Sequence, residues 1–281
     1  MSIQNFVPTV WTARLFQELD KAHVFVARCN RDYEGEISQY GDTVKITGLG
    51  DVSVANYVPN TTSITPQQLD AAQTTLAIDQ AKYFAFKIDD VDNAQTKPKL
   101  MGEAMRKSAY ALRDASDTAI GELGSEAGDT YTATVTTALA IPVLGELARK
   151  LDEANVPPEG RWLVAPPWLI MKFALAEILE TDGSVNAQDT FSNGFAGRAM
   201  GFDIYSSNNV EKGSSWEAST PVHEVLAGHP RAITFAQQIL GMEAYRPESS
   251  FSDAVKGLYV YGYKVVDPNA LVKATLTYSS S

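Results

Sequence analysis

A single cysteine, Cys29, stands in 281 residues, so no disulfide can close within the chain. That suits synthesis in a reducing compartment. No apolar run is long enough to span a bilayer as a helix. The most apolar stretch, residues 162–176, is broken by Pro166, Pro167 and Lys172 and falls short of the roughly 20 residues required. A signal peptide is not expected either, because Asn5 and Pro8 interrupt the first residues where a basic start and an apolar core would lie. Cations are scarce: Lys and Arg total 23 against 34 Asp and Glu, a net charge of -11. A nucleic-acid reader needs clustered cations to displace counterions from phosphate, so tight DNA binding is not expected. An acidic wall around a packaged polyanion is compatible with this balance, since it repels the polymer and avoids sticking. Internal repeats, heptad runs and long blocks of like charge are absent, which removes solenoids and coiled coils.

What is present is ordinary globular material, 44% hydrophobic and 10% aromatic. Trp11, Leu15, Leu19, Ala22 and Val26 recur at steps of three or four, predicting an amphipathic helix from residue 9 or 10 to 27. A polar loop follows, with Gly35 and Gly41 as turn residues. From Thr43 the period becomes two, through Val44, Ile46, Val52 and Val54. Leu76, Ile78, Phe84, Phe86 and Ile88 share one parity and predict a half-buried strand. Between these strands, residues 59–75 form a polar connection longer than the roughly 12 to 15 residues usual in compact domains. Thr96 and Pro98 mark a helix start and Gly124 or Gly128 a stop. The helix between, about 25 residues and about 38 Å long, would bury a stripe of Met101, Met105, Ser108, Leu112, Ala115, Ala119 and Leu123. Further on, the pattern predicts a strand at 131–137, a helix at 142–154 and a buried strand at 162–165. A helix then enters at the Pro166-Pro167 pair and runs to Leu179. Short strands at 200–206 and 222–227, a short helix at 231–238 and strands at 258–266 and 271–278 complete a mixed α+β chain.

These pieces carry a resemblance. Residues 11–50, with Asn30-Arg-Asp-Tyr-Glu-Gly-Glu-Ile and Gly41-Asp-Thr-Val-Lys-Ile, resemble the amino-terminal region of tailed-phage major capsid proteins. Ile78-Asp-Gln-Ala-Lys-Tyr-Phe-Ala-Phe-Lys-Ile-Asp-Asp-Val-Asp resembles their strand into a spine helix. Arg161-Trp-Leu-Val-Ala-Pro-Pro-Trp and Gly201-Phe-Asp-Ile-Tyr-Ser-Ser-Asn-Asn resemble their axial-domain strands. The resemblance implies an amino-terminal arm (1–42), an extended β-loop (43–92), a peripheral domain with a long spine helix (93–157), an inserted axial domain (158–238) and return strands of the peripheral domain (239–281). It further implies a structural protein, not an enzyme and with no cofactor, made in the host cytoplasm and built into the virion capsid. Copies would join as hexamers and pentamers of an icosahedral shell around double-stranded DNA, bound without sequence specificity. A portal and a separate scaffolding protein are the expected partners, since the capsid motif begins within a dozen residues of Met1. No lysine lies between Lys45 and Lys82, so a loop-lysine isopeptide crosslink of the kind some relatives form is not expected. Assembly contacts are expected at Trp11, Leu15, Pro59, Ile64, Leu69, Tyr83, Phe84 and Phe86. An encapsulin-type compartment shell is the alternative the resemblance leaves open.

Chemical motifs are thin. His223 and His229 superficially suggest a metal-dependent hydrolase, but a zinc helix needs histidines four apart and these are six apart, so surface or interface roles are expected. Asp89, Asp90 and Asp92 lack the oxygen ligand and Gly that a calcium hand needs at positions 94 and 95, and suit a helix entrance instead. The glycines of residues 194–201 match neither a dinucleotide loop nor a phosphate loop, and Cys29 reads as a small buried residue.

Overall fold

The computed structural model describes residues 23–34, 40–49, 56, 59, 71–89, 100–176, 195–214, 217, 220–248 and 252–279. Its elements, in chain order, are strands β1 (Thr43–Leu49), β2 (Ala71–Ala77) and β3 (Gln80–Asp89), helix α1 (Leu100–Gly121), β4 (Asp129–Val135) and α2 (Ala140–Glu153). Then come β5 (Arg161–Ala165), α3 (Pro167–Leu175), β6 (Phe195–Ala199), β7 (Phe202–Ser206), β8 (Glu211–Lys212) and β9 (Val222–Gly228). The chain ends through β10 (Ile233–Tyr245), β11 (Ser252–Val265) and β12 (Leu271–Tyr278).

A seven-stranded mixed sheet runs β4-β12-β9-β5-β7-β6, with β8 added on β9. Its centre is β5, whose five residues are all buried, as befits a strand covered on both faces. Arg161 opens that strand and its guanidinium is buried. Asp152 at 2.6 Å and the carbonyls of Val156 and Pro157 at 2.5 and 3.0 Å satisfy it, which a buried cation requires. Helix α2 links β4 to β5 and buries Val143, Leu144, Leu147 and Leu151 at helical spacing. A separate three-stranded antiparallel sheet runs β10-β11-β3 under α1, and β1 with β2 forms a two-stranded ribbon.

Several expectations need correction. The run from Leu76 to Ile88 is two strands: β2 pairs with β1 and β3 pairs with β11, so uninterrupted parity conceals a change of sheet at Ile78 and Asp79. Residues 71–75, expected within the long loop, belong to β2. The helix expected at 231–238 is absent; Pro230–Ala232 makes one 3-10 turn and Ile233 begins β10. Ile233 through Gln237 are all buried, so this stretch shows no alternation to mark it as a strand. The first helix does not reach Ala27, because Val26–Arg28 is a 3-10 turn; residues 10–22 lie outside the described residues. Along α1 the buried positions are Met105, Ala109, Leu112, Ser116, Asp117 and Ile120, rotated from the expected stripe. In the seven-stranded sheet β12 lies between β4 and β9, and β10 of the three-stranded sheet runs through residue 238 without a break.

Candidate assembly surface

The three-stranded sheet has one covered face and one partly bare face, set by strand parity. On the α1 side lie Phe84 and Phe86, whose rings stack at 6.2 Å, with Val255, Gly257 and Tyr259 on β11. A Cβ on Gly257 would sit 2.5 Å from the Phe84 ring, so glycine here lets that ring cross the strand. Tyr259, Tyr261 and Tyr263 stack in succession at 5.2 and 6.2 Å, and Tyr259 donates its hydroxyl proton to Gln237 at 2.7 Å.

The opposite face is capped at one end by the ribbon. Val44, Ile46, Leu76 and Ile78 pack there with Ala236 and Val260. Gly262 allows this approach, since a Cβ would stand 2.2 Å from the carbonyl oxygen of Ala77. Beyond the ribbon the face is bare. Tyr83 is 79% exposed and pairs in register with Leu258, itself 38% exposed, and Tyr245 is exposed one strand further on. Lys256 sits over the Tyr245 ring at 5.3 Å and pairs with Glu243 at 2.8 Å. Among the described residues β3 is an edge strand, paired with β11 on one side.

The segment leading in from the amino terminus is anchored on α1 by polar groups. The N–H groups of Val24 and Val26 donate to the two carboxylate oxygens of Asp117 at 2.9 and 3.3 Å. Captured in this way, those amides cannot serve a continuing helix, which accounts for the turn at 26–28. Burial pushes the Asp117 carboxyl up to about 6, with the two amide bonds opposing the rise. The Ser116 hydroxyl turns back on the carbonyls of Leu112 and Arg113, so His23 donates Nε2–H to it at 2.9 Å. Burial first, then Arg31 and Arg113, lower His23 to about 3, which keeps it neutral. Phe25 enters the core against Gly121, and Asn30 bridges to Thr234 of β10.

Of the residues expected to make assembly contacts, β3 carries Phe84 and Phe86 on the face toward α1 and Tyr83, exposed, on the opposite face. Pro59 is an exposed turn residue, and Trp11, Leu15, Ile64 and Leu69 lie outside the described residues. Leu258 and Tyr245 were missed, because their exposure follows from pairing with a distant strand. The histidines separate. His223 is the second residue of β9 and its Nδ1 accepts from Trp168 Nε1–H at 3.1 Å, whereas His229 lies past the strand's end and accepts from the Arg231 amide at 3.2 Å. Six residues of extended chain put them about 20 Å apart, too far for one metal ion. The glycine-rich stretch ends in the β6–β7 hairpin, with positive φ at Met200 and Gly201 as a two-residue primed turn requires. Cys29 is buried, and desolvation raises its thiol far above the usual range.

This architecture has known counterparts. A solved chain from Mycobacterium phage Che8 is 27% identical, with a TM-score of 0.69 and 90% of each chain covered. The capsid structure of cyanophage P-SCSP1u is 15% identical at TM-score 0.64, covering 92% of this chain and 88% of that one. A virus-like particle from Pyrococcus furiosus shares the fold at 10% identity and TM-score 0.56, covering 94% of this chain and 97% of that one. No curated protein matches. A family model described as phage capsid protein matches residues 71–274, more than half of the sequence, and the chain belongs to that family.

Proposed function

We propose that this capsid protein closes an icosahedral phage head by overlapping each subunit's arm and extended loop with its neighbours. Shells of hexamers and pentamers then hold through many modest contacts instead of a few strong ones. In this reading residues 43–92 are the extended loop, and the bare end of the β3–β11 face receives a neighbour's loop. The observation that carries it is Tyr83 beside Leu258, two large side chains left exposed on a sheet face whose other end is buried by the ribbon. Charge supports the match. Residues 46–81 contain no Lys or Arg but do contain Asp51, Asp70 and Asp79, whereas the bare face carries Lys87 and Lys256. With no lysine between Lys45 and Lys82, the shell forms without a loop-lysine isopeptide bond. Scaffolding is a separate protein, a portal completes the head, and packaged DNA is enclosed without sequence-specific contacts. The family match and the phage relatives favour a phage coat over a cargo compartment.

Expression with neighbouring genes, followed by electron microscopy, tests this reading. Wild type is expected to give closed particles containing DNA. Tyr83→Asp and deletion of residues 60–70, which spares β2, are each expected to give folded subunits without shells. Normal shells from either variant would overturn the overlap, and particles filled with enzyme would favour the compartment.

A further inference from the structure

A second surface is left bare at the other sheet. Leu139 and Ile141 at the start of α2, and Met171 and Leu175 on α3, are all exposed; Met171 is 49% and Leu175 61% accessible. Met171 and Leu175 are four residues apart and so share one face of α3. Lys172, between them in sequence, links α3 to the turn that precedes α2 by donating to Thr137 Oγ1 at 3.4 Å. Four large apolar side chains left exposed on two consecutive helices of one sheet layer are an unusual surface for a monomer.

Lys172 itself is the second observation. Only 4% exposed, it carries a charge with no carboxylate partner among the described residues. Among the described residues its three donors make one long hydrogen bond, to Thr137, and the Tyr278 ring lies 5.1 Å from its nitrogen. The contrast with the rest of the seven-stranded sheet is plain: Lys150, Arg161, Arg198 and Lys273 each hold a carboxylate. A buried ammonium lacking a counter-ion is costly, and the chain as a whole has eleven more carboxylates than cations. A partner that covers the exposed apolar side chains and brings an acid to Lys172 would fit both features.

We infer that the α2–α3 junction docks against a second copy of this chain, which covers Leu139, Ile141, Met171 and Leu175 and presents a carboxylate to Lys172. The inference rests on the capsid reading, which supplies the partner, but it names a contact on a different sheet from the extended-loop surface.

The test is photocrosslinking of the full chain with p-benzoylphenylalanine at position 175, read beside particle formation. A covalent dimer of the chain, with the adduct mapped to a second copy, is expected. Closed particles without a crosslinked dimer would overturn this contact while leaving the capsid reading intact. Dimers without particles would support the contact and count against the shell. Leu175→Asp, an exposed change, should keep wild-type thermal unfolding yet reduce assembly at least tenfold; undiminished assembly overturns the docking. Lys172→Met keeps the packed stem and removes the charge, and should raise the concentration needed for assembly about tenfold, a loss in the range of a paired interface cation. An unchanged threshold would remove the carboxylate from the contact.

Discussion

Gly262 and Asp117 show how single positions hold this fold to its geometry. At Gly262 the backbone of β11 meets the end of β2 so closely that any side chain must move the ribbon. Gly262→Ala should therefore cost about 1–3 kcal/mol, as overpacking does. Gly241→Ala, where nothing lies within 4 Å, should stay within about 0.5 kcal/mol. Urea midpoints of the two variants check the pair. Asp117 and His23 set opposing pH responses. Native Asp117 titrates near 6 instead of 3.8, so its contribution is fully present below 3.8 and is lost as pH rises through about 6, worth about 3 kcal/mol. Native His23 titrates near 3 instead of 6.5, so its contribution is lost as pH falls below 6.5. The two largely offset. Asp117→Asn should leave His23 unopposed, and the variant should lose stability faster than wild type between about pH 6.5 and pH 4; parallel curves from denaturant titrations would refute the assignment. Neither residue was legible from the sequence. A glycine in a strand does not say what approaches it, and an aspartate inside an amphipathic helix reads as a solvent-facing position until the segment that donates to it is in place.

Elements divide by how local their causes are. The α2 repeat, the Pro166-Pro167 entrance to α3 and the last strand, β12, are readable because each depends on spacing within its own residues. α1 is readable in extent but not in orientation. Its stripe turns toward Ser116 and Asp117 because residues 23–26 satisfy those polar groups from outside the helix. β2 and β3 read as one strand because parity continues through Ile78 although the hydrogen-bond partner changes. The ribbon should accordingly behave as a unit of its own, held by a small cluster. Leu76→Ala is expected to cost about 2–4 kcal/mol and to act locally. Hydrogen exchange should quicken in β1 and β2 while the amides of α1 and β5 keep their protection. Uniform loss of protection would mean that the ribbon is part of the global core.

For the whole molecule, charge and uncovered surface govern association. Copies bearing a net charge of -11 repel one another, and salt shortens that repulsion from about 30 Å at 0.01 M to about 8 Å at 0.15 M. Assembly followed by light scattering should therefore speed up over that range, while the apolar contacts at Tyr83 and Leu175 should change little with salt. A slower rate at higher salt would make attraction between unlike charges dominant. The sequence by itself determined the class of chain, the elements with strong local spacing and the absence of a metal-helix or phosphate-loop motif, because composition, periodicity and spacing act over a few residues. Only the tertiary structure decided which strands share a sheet, that β12 joins β4 and β9, and which apolar side chains remain bare. Those outcomes depend on pairing between segments as distant as residues 83 and 258, and no local pattern records a partner so far along the chain.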